Sequence, residues 1–275
     1  MIMKLKVKLF NKKLLKNYLA VLSFISLICS FVFIVVEIPD NCKMCVGIGF
    51  AFSLLTTYVI MWIIANCQKE TTLNINNSTM VVKTGNIFEE DELKVIAFNE
   101  YFDTQVDNKI VADNTLNGIY IKSKINDVSE LDKLIDTDVD LNKKVIQNNH
   151  IRANGKKKKY RLGTVFQNHD YLLTAFTKFD DDNRAYLSMN DYINFLLNFW
   201  NEIDIIYAGR SVSIPLLGSG ITRFKEFAIS EQELLELLIW SFKVSRIKFT
   251  YMSKVSIIIH KSKSDKINFF KLKED

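Results

Sequence analysis

The sequence predicts an α/β protein: a helical hairpin able to cross a membrane, then one domain in which helices cover the faces of a sheet. Three observations predict it. Two long runs near the N-terminus carry no charge, and the rest of the chain alternates strand and helix patterns. In addition, one strand passes through Pro215 into a Gly-Ser-Gly turn, within Ser211-Val212-Ser213-Ile214-Pro215-Leu216-Leu217-Gly218-Ser219-Gly220-Ile221-Thr222-Arg223.

The hairpin comes first. Residues 1–17 hold six lysines (Lys4, Lys6, Lys8, Lys12, Lys13, Lys16) and no acid, and residues 18–36 run nineteen positions uncharged. A link, Glu37 to Lys43, precedes a second uncharged run of twenty-four residues, Met44 to Cys67. An apolar bilayer core needs about 20 helical residues, so either run can span it. A cleaved signal peptide has a shorter apolar region and is not followed at once by a second span.

Lysine asymmetry sets the expected orientation. Positive flanks stay cytoplasmic, which places residues 1–17 and 68–275 inside and only 37–43 outside. Neither span has an ionisable side chain besides thiols, so nothing marks an ion pathway. Gly47, Gly49, Ser53, Thr56 and Thr57 could let helices approach closely. Tyr18, Tyr58 and Trp62 suit interfacial anchors, with packing an alternative for Tyr58.

Composition bounds the remainder. Residues 70–275 suffice for a single domain. The net charge of +5 owes much to the N-terminal lysines and does not argue for nucleic acid. Lys156 to Lys159 reads as a solvated strand or loop end, or else as a phosphate or lipid contact. Cys42 and Cys45 form a lone C-x-x-C, either a disulfide outside the cell or two apolar-face thiols, with no second pair for a zinc site. No metal or cofactor is expected. The domain after residue 67 has no cysteine, and His150, His169 and His260 show no triad spacing.

In order along the domain, Thr71 to Lys83 reads as a hairpin turning at Asn76-Asn77-Ser78. Gly85-Asn86-Ile87-Phe88 leads into a strand from Leu93 to Phe98, which ends in Asn99-Glu100-Tyr101-Phe102-Asp103. A polar loop follows, including Asp113 to Gly118, and residues 128–147 are a candidate helix with Ser129 as N-cap. Tyr160 to Phe166 and Tyr171 to Phe179 are strands around a turn at Asn168-His169-Asp170. Ile193, Leu196, Leu197, Trp200 and Ile203 share one face of a helix over 191–204. Ile205 to Leu217 reads mostly as strand, interrupted at Ala208-Gly209-Arg210. Ser230-Glu231-Gln232-Glu233 is a capping box opening a helix through Phe242. Arg246 to Tyr251, Val255 to His260 and Ile267 to Leu272 read as closing strands. Such alternation builds a sheet covered by helices, whose ligands bind at loops beyond strand ends.

Two loops qualify: Asn99 to Asp103 and Gly218 to Thr222. Backbone N–H groups delivered into a Gly-Ser-Gly turn suit an anion, although a lone Gly-x-Gly is more often a structural turn. The dinucleotide fingerprint fails, because Arg223 stands where its third glycine would be.

The ordered set Gly85-Asn86-Ile87, then Val95-Ile96-Ala97-Phe98-Asn99, then Arg210 to Ile221 resembles a macro domain. With the hairpin and Asn99 to Asp103, the chain is similar to transmembrane–macro effectors of bacterial Thoeris anti-phage defence. The resemblance implies a macro-like three-layer α/β/α domain with a mixed sheet, and binding of an ADP-ribose derivative. It implies adenine contacts for Asn86 and Ile87, a distal-ribose contact for Asn99, and diphosphate contacts for Gly218, Ser219, Gly220 and Ile221. Leu217, Thr222 and Arg223 flank that loop. Glu100, Tyr101, Phe102, Asp103, Asn117 and Gly118 stand where ligand-specific contacts would sit. Asn86 departs from the family's usual acid, though an amide can pair with a base edge. The glycine triplet that macro-domain hydrolases carry after the strand-end Asn is absent.

Two functions compete, beside a third in which the chain is a membrane-tethered scaffold with a degenerate pocket. One is a receptor without enzymatic activity that binds a signal made by a partner TIR-domain enzyme, in this type histidine-ADP-ribose. Binding would assemble the hairpins as homo-oligomers, disrupt the membrane and arrest the infected cell. The other is a membrane-anchored ADP-ribose hydrolase with Glu100 or Asp103 as base. The missing glycine triplet and the second span favour the receptor.

Overall fold

The computed structural model describes residues 5–180, 182–225, 228–249 and 252–273. They form two compact units, one of residues up to 69 together with those from 268 onward, the other of residues 70–267.

In the first unit, helix α1 (Lys12–Val35) opens on Asn11, whose side chain accepts from the N–H groups of Lys13 and Leu14. Helix α2 (Asp40–Cys67) follows Pro39. Both are long and apolar enough to cross a membrane, with mean hydropathy of 2.6 and 2.0 over their most apolar windows. The helical segments exceed the uncharged runs, because α1 takes in Lys12, Lys13 and Lys16 while α2 takes in Asp40 and Lys43. Asn66 anchors the base of the pair. Its Oδ1 accepts from the N–H groups of Lys6 (2.8 Å) and Val7 (2.9 Å). Trp62 Nε1 donates to the Val7 carbonyl at 2.9 Å, and Tyr58 donates to that of Leu9. Asn268 Nδ2 donates to the Lys6 carbonyl at 2.9 Å, tying the late segment into the same cluster.

The second unit begins with strands β1 (Glu70–Ile75) and β2 (Ser78–Gly85), joined by Asn76 and Asn77 at φ of 55° and 60°. Two consecutive left-handed residues make the tight turn whose twist suits a hairpin, and asparagine tolerates that conformation. Next come β3 (Leu93–Asn99), helices α3 (Leu116–Lys124), α4 (Val128–Thr137) and α5 (Val139–Asn142), and the small hairpin of β4 (Val145–Asn148) and β5 (Lys158–Tyr160). Then follow β6 (Val165–Asn168), β7 (Tyr171–Phe179), β8 (Ala185–Leu187), α6 (Met189–Ile206), β9 (Val212–Pro215), β10 (Arg223–Phe224), α7 (Glu231–Ser245) and β11 (Lys254–His260).

The main sheet runs β1-β2-β11-β9-β3-β7-β8-β10, with β6 also on β7. Neighbours β2, β11, β9, β3 and β7 are mutually parallel, while β1 runs antiparallel to β2, β6 and β8 run antiparallel to β7, and β10 is parallel to β8. The sheet is therefore mixed. Helices α3, α4 and α5 bury Tyr120, Leu131, Ile135 and Leu141 against Ile96, Phe98 and Leu173. Helices α6 and α7 pair with each other, Trp200 donating to Ser241 Oγ at 2.8 Å and packing on Phe242. This is the three-layer α/β/α arrangement.

Several local readings are corrected. Leu116 to Gly118 is the first turn of α3, capped by Thr115, so the polar loop ends sooner. The segment 128–147 is two short helices and a strand. Asp127, not Ser129, caps α4, its carboxylate accepting from the Ser129 and Glu130 N–H groups. Asp138 then ends α4 and caps α5. The helix read to 204 continues to Ile206, which removes the strand expected from Ile205. Among the described residues only β11 forms of the three closing strands: residues 246–249 form no strand, 250–251 lie outside the described residues, and 267–272 turn into a 3-10 helix at Lys271–Lys273.

Candidate functional site

All five parallel strands end at one edge of the sheet, so the loops after β2, β3 and β9 share that edge. Pairing between β3 and β9 covers only Leu93 with Val212 and Lys94 with Ser213, although β3 runs on to Asn99. The 3-10 turn Ile87–Glu89, after β2, packs against both strands. The sequence-predicted residues at 86–87, 99–103 and 217–223 therefore flank the place where β3 and β9 part. This is the carboxyl-end position at which open α/β sheets bind ligands.

After β2, Asn86 caps the 3-10 turn. Its Oδ1 accepts from the Phe88 N–H (3.2 Å), and its Nδ2 donates to Glu89 Oε1 (3.0 Å). Ile87 is buried in the core under α3 and α4.

After β3, Asn99 closes a turn on itself. Oδ1 accepts from the N–H groups of Tyr101 (3.0 Å) and Asp103 (3.3 Å), and Nδ2 donates to Asp103 Oδ2 (3.0 Å). Phe102 completes the turn at φ 52° and is buried between Phe98 and Tyr160. Asp103 is 1 % exposed and receives both Arg152 Nη1 (3.1 Å) and Nη2 (2.7 Å), with the Lys156 N–H at 2.7 Å. This is a bidentate pair, the strong form of an ion pair. Arg152 also donates to Asn183 Oδ1 and stacks over Tyr101 at 4.0 Å, while Asn149 Nδ2 donates to the Tyr101 hydroxyl.

Glu100 is equally buried. Burial pushes its carboxyl above the ordinary range, opposed by Lys159 and by the Phe179 N–H on Oε1. Among the described residues, its Oε2 has no hydrogen-bond partner. The β4–β5 hairpin thus delivers Asn149, Arg152, Lys156 and Lys159 onto the β3 turn. Sequence reading did not assign Asn149, Arg152 or Asn183 to the site. The basic run 156–159, read there as a solvated strand or loop end or as a phosphate or lipid contact, leads into β5 with partly exposed lysines, and Lys156, Lys158 and Lys159 pair with Asp132, Asp136 and Glu100.

After β9, Leu217 is buried and its carbonyl accepts from Tyr192 OH (3.2 Å). The Ser219 N–H and hydroxyl both donate to the Leu216 carbonyl, so that N–H is spent within the turn. Gly218 has φ 87°, and a Cβ there would meet Leu234 and Phe224 at 3.2–3.3 Å. Gly220 differs, since a Cβ there meets nothing within 4 Å. Ile221 is 63 % exposed, Thr222 half-exposed and Arg223 exposed on β10. Asn117 and Gly118 belong to the first turn of α3. Asn117 accepts from Thr115 Oγ1, and Gly118 packs so tightly that a Cβ would fall 2.2 Å from the Ala112 carbonyl.

Comparison with known proteins bears on what this edge is. The family model described as "Thoeris protein ThsA, Macro domain" matches residues 80–260. The Thoeris protein ThsA of Bacillus amyloliquefaciens (strain Y2) is 41 % identical over 272 residues, covering 97 % of this chain and 90 % of that protein. Solved macrodomain structures from Oceanobacillus iheyensis are also similar. A mutant form covers 75 % of this chain and 96 % of its own at 12 % identity and a TM-score of 0.46. Another mutant form, described with ADPR, covers 74 % and 96 % at 13 % identity and a TM-score of 0.42. Through the ThsA match over nearly its whole length, the chain belongs to the Thoeris ThsA family, with the macro domain of that family over residues 80–260.

Proposed function

We propose that this protein is a membrane-bound receptor-effector of anti-phage defence. Its macro domain binds an ADP-ribose-derived signal at the carboxyl edge of the parallel strands. The observation that carries this reading is the convergence of residues 86–87, 99–103 and 217–223 around the parting of β3 and β9. Gly220 and Ile221 are exposed at this edge, and Ile221 offers an apolar surface suited to a nucleoside ring. The signal class is histidine-ADP-ribose, supplied by a partner TIR-domain enzyme. Binding assembles several hairpins, because one uncharged hairpin has no polar stripe to line a conduit. The ligand drives assembly only by binding the assembled state more tightly.

The geometry favours a receptor over a hydrolase. A general base must reach the proton that it abstracts. Glu100 and Asp103 are each 1 % exposed; Arg152 holds both Asp103 oxygens, and Glu100, paired with Lys159 through Oε1 alone, is closed off from solvent.

Gly220 gives the clean test, since Gly218 is strained against any side chain whatever its ligand role. Gly220→Val should weaken calorimetric binding of histidine-ADP-ribose to the purified full chain roughly tenfold or more, about 1.4 kcal/mol, with unchanged thermal unfolding. Gly218→Val should lower both. Saturating signal should enlarge the wild-type oligomer and depolarise membranes. Wild-type affinity in Gly220→Val overturns the assignment of this loop, and turnover of the ligand overturns the receptor.

A further inference from the structure

The two ends of the main sheet are finished differently. At one end β10 is only two residues long, carries Arg223 and is followed by Lys225. Short length and charge are the usual protections of an edge strand. At the other end β1 is six residues long and pairs with β2 without a bulge. Its charge is confined to Glu70 at its start, beside Lys69, and from Thr71 to Ile75 it contains no charge and no proline.

The turn phase identifies which backbone groups of β1 face outward. The two-residue turn makes Ile75 and Ser78 a hydrogen-bonded pair, and such pairs alternate along an antiparallel ladder. Leu73 with Met80 and Thr71 with Val82 are therefore bonded inward. Thr72 and Asn74 point their N–H and C=O groups away from β2. Both residues are exposed, and among the described residues no hydrogen bond reaches their backbones from outside the hairpin.

We infer that the β1 edge is a self-association surface, on which a second copy of this chain adds its own β1 antiparallel across a two-fold axis at Leu73. In that register Thr72 faces Asn74 of the second copy, and the reverse. Each such pair exchanges two hydrogen bonds, so four bonds use every outward group of the two residues. Leu73, half-buried here, meets its own counterpart in the close, non-hydrogen-bonded position, and Thr71 faces Ile75. No charged side chains are opposed. The contact is isologous and closes as a dimer. It is independent of the ligand assignment and supplies one of the contacts that an assembly of hairpins needs.

Charge placement on full-length protein tests both the surface and the register. T72K/N74K opposes lysines at both facing positions and should weaken self-association roughly tenfold in detergent. T72K/N74E sets the introduced lysine of each copy opposite the introduced glutamate of the other and should self-associate like wild type. Both doubles alter only exposed side chains, so equal thermal unfolding is expected. In a chain with Cys29, Cys42, Cys45 and Cys67 changed to Ser, Leu73→Cys should form an inter-chain disulfide when isolated membranes are oxidised with copper phenanthroline. Thr72→Cys should not, because its two copies sit diagonally at about 7–8 Å, beyond disulfide reach. Equal association of the two charge doubles, or equal cross-linking at 72 and 73, overturns the proposal.

Discussion

Arg152 is the residue on which the β3 turn depends most. Its side chain is 7 % exposed and satisfies Asp103, Asn183 and the Lys156 carbonyl while lying on the Tyr101 ring. Removing one member of a buried pair leaves the other charge without compensation, which costs about 3–5 kcal/mol. Arg152→Met should therefore lower unfolding stability by about that amount. Arg152→Met with Asp103→Asn should recover part of it, since no buried charge is then stranded. Denaturant unfolding of the three proteins checks this. A single variant as stable as wild type would mean that the pair is dispensable. Asn99 illustrates the neighbouring lesson: its strand-end position was legible, but its amide is spent on Tyr101 and Asp103. Nothing in the local sequence announces that Asp103 lies four residues on in space as well as in chain, or that Arg152 reaches it from another hairpin.

At the scale of elements, α7 and the 3-10 helix Lys261–Lys266 are joined through one carboxylate. Glu231, in the first turn of α7, receives Lys263 Nζ at 3.0 Å and Lys266 Nζ at 2.6 Å. Burial by itself would push its carboxyl up, but the two lysine hydrogen bonds pull it down to about 2. A carboxyl depressed in the folded state contributes stability that is present above its unfolded value, near 4.5, and lost as pH falls toward 2. Lys263→Met with Lys266→Met should then lower stability most at neutral pH and shift acid unfolding to higher pH, the two proteins converging as pH falls toward 2. Circular dichroism between pH 6 and 2 follows the change, and coincident acid transitions would remove Glu231 from the account. The capping box that opens α7 was readable from Ser230 and Glu233, because capping is a contact within four residues. The lysine partners were not, because they come from beyond β11.

For the whole chain, the lysine asymmetry predicts that residues 37–43 alone are outside the cell. In a chain with the four native cysteines changed to Ser, Asn41→Cys should react with an impermeant maleimide on intact cells. Lys133→Cys, exposed on α4, should react only after lysis. Labelling of Lys133→Cys from outside would invert the topology.

The two long apolar helices, the β1–β2 turn, β3, β7, α6, α7 and the strand into the Gly-Ser-Gly loop were determined by residues close together in sequence. Their causes are local: charge-free length, Asn-Asn turn chemistry, 3.6-residue periodicity and caps. Tertiary structure alone decided the rest. It set β3 beside both β9 and β7, and it brought the loops after β2, β3 and β9 to one edge. It folded the β4–β5 hairpin onto the β3 turn, kept Ile267 to Leu272 out of the sheet, and left β1 at the end of the sheet with no strand beyond it among the described residues. Strand order and ion pairs join residues far apart in the chain, so the free energy that selects them depends on the assembled packing and leaves no periodic trace in the sequence.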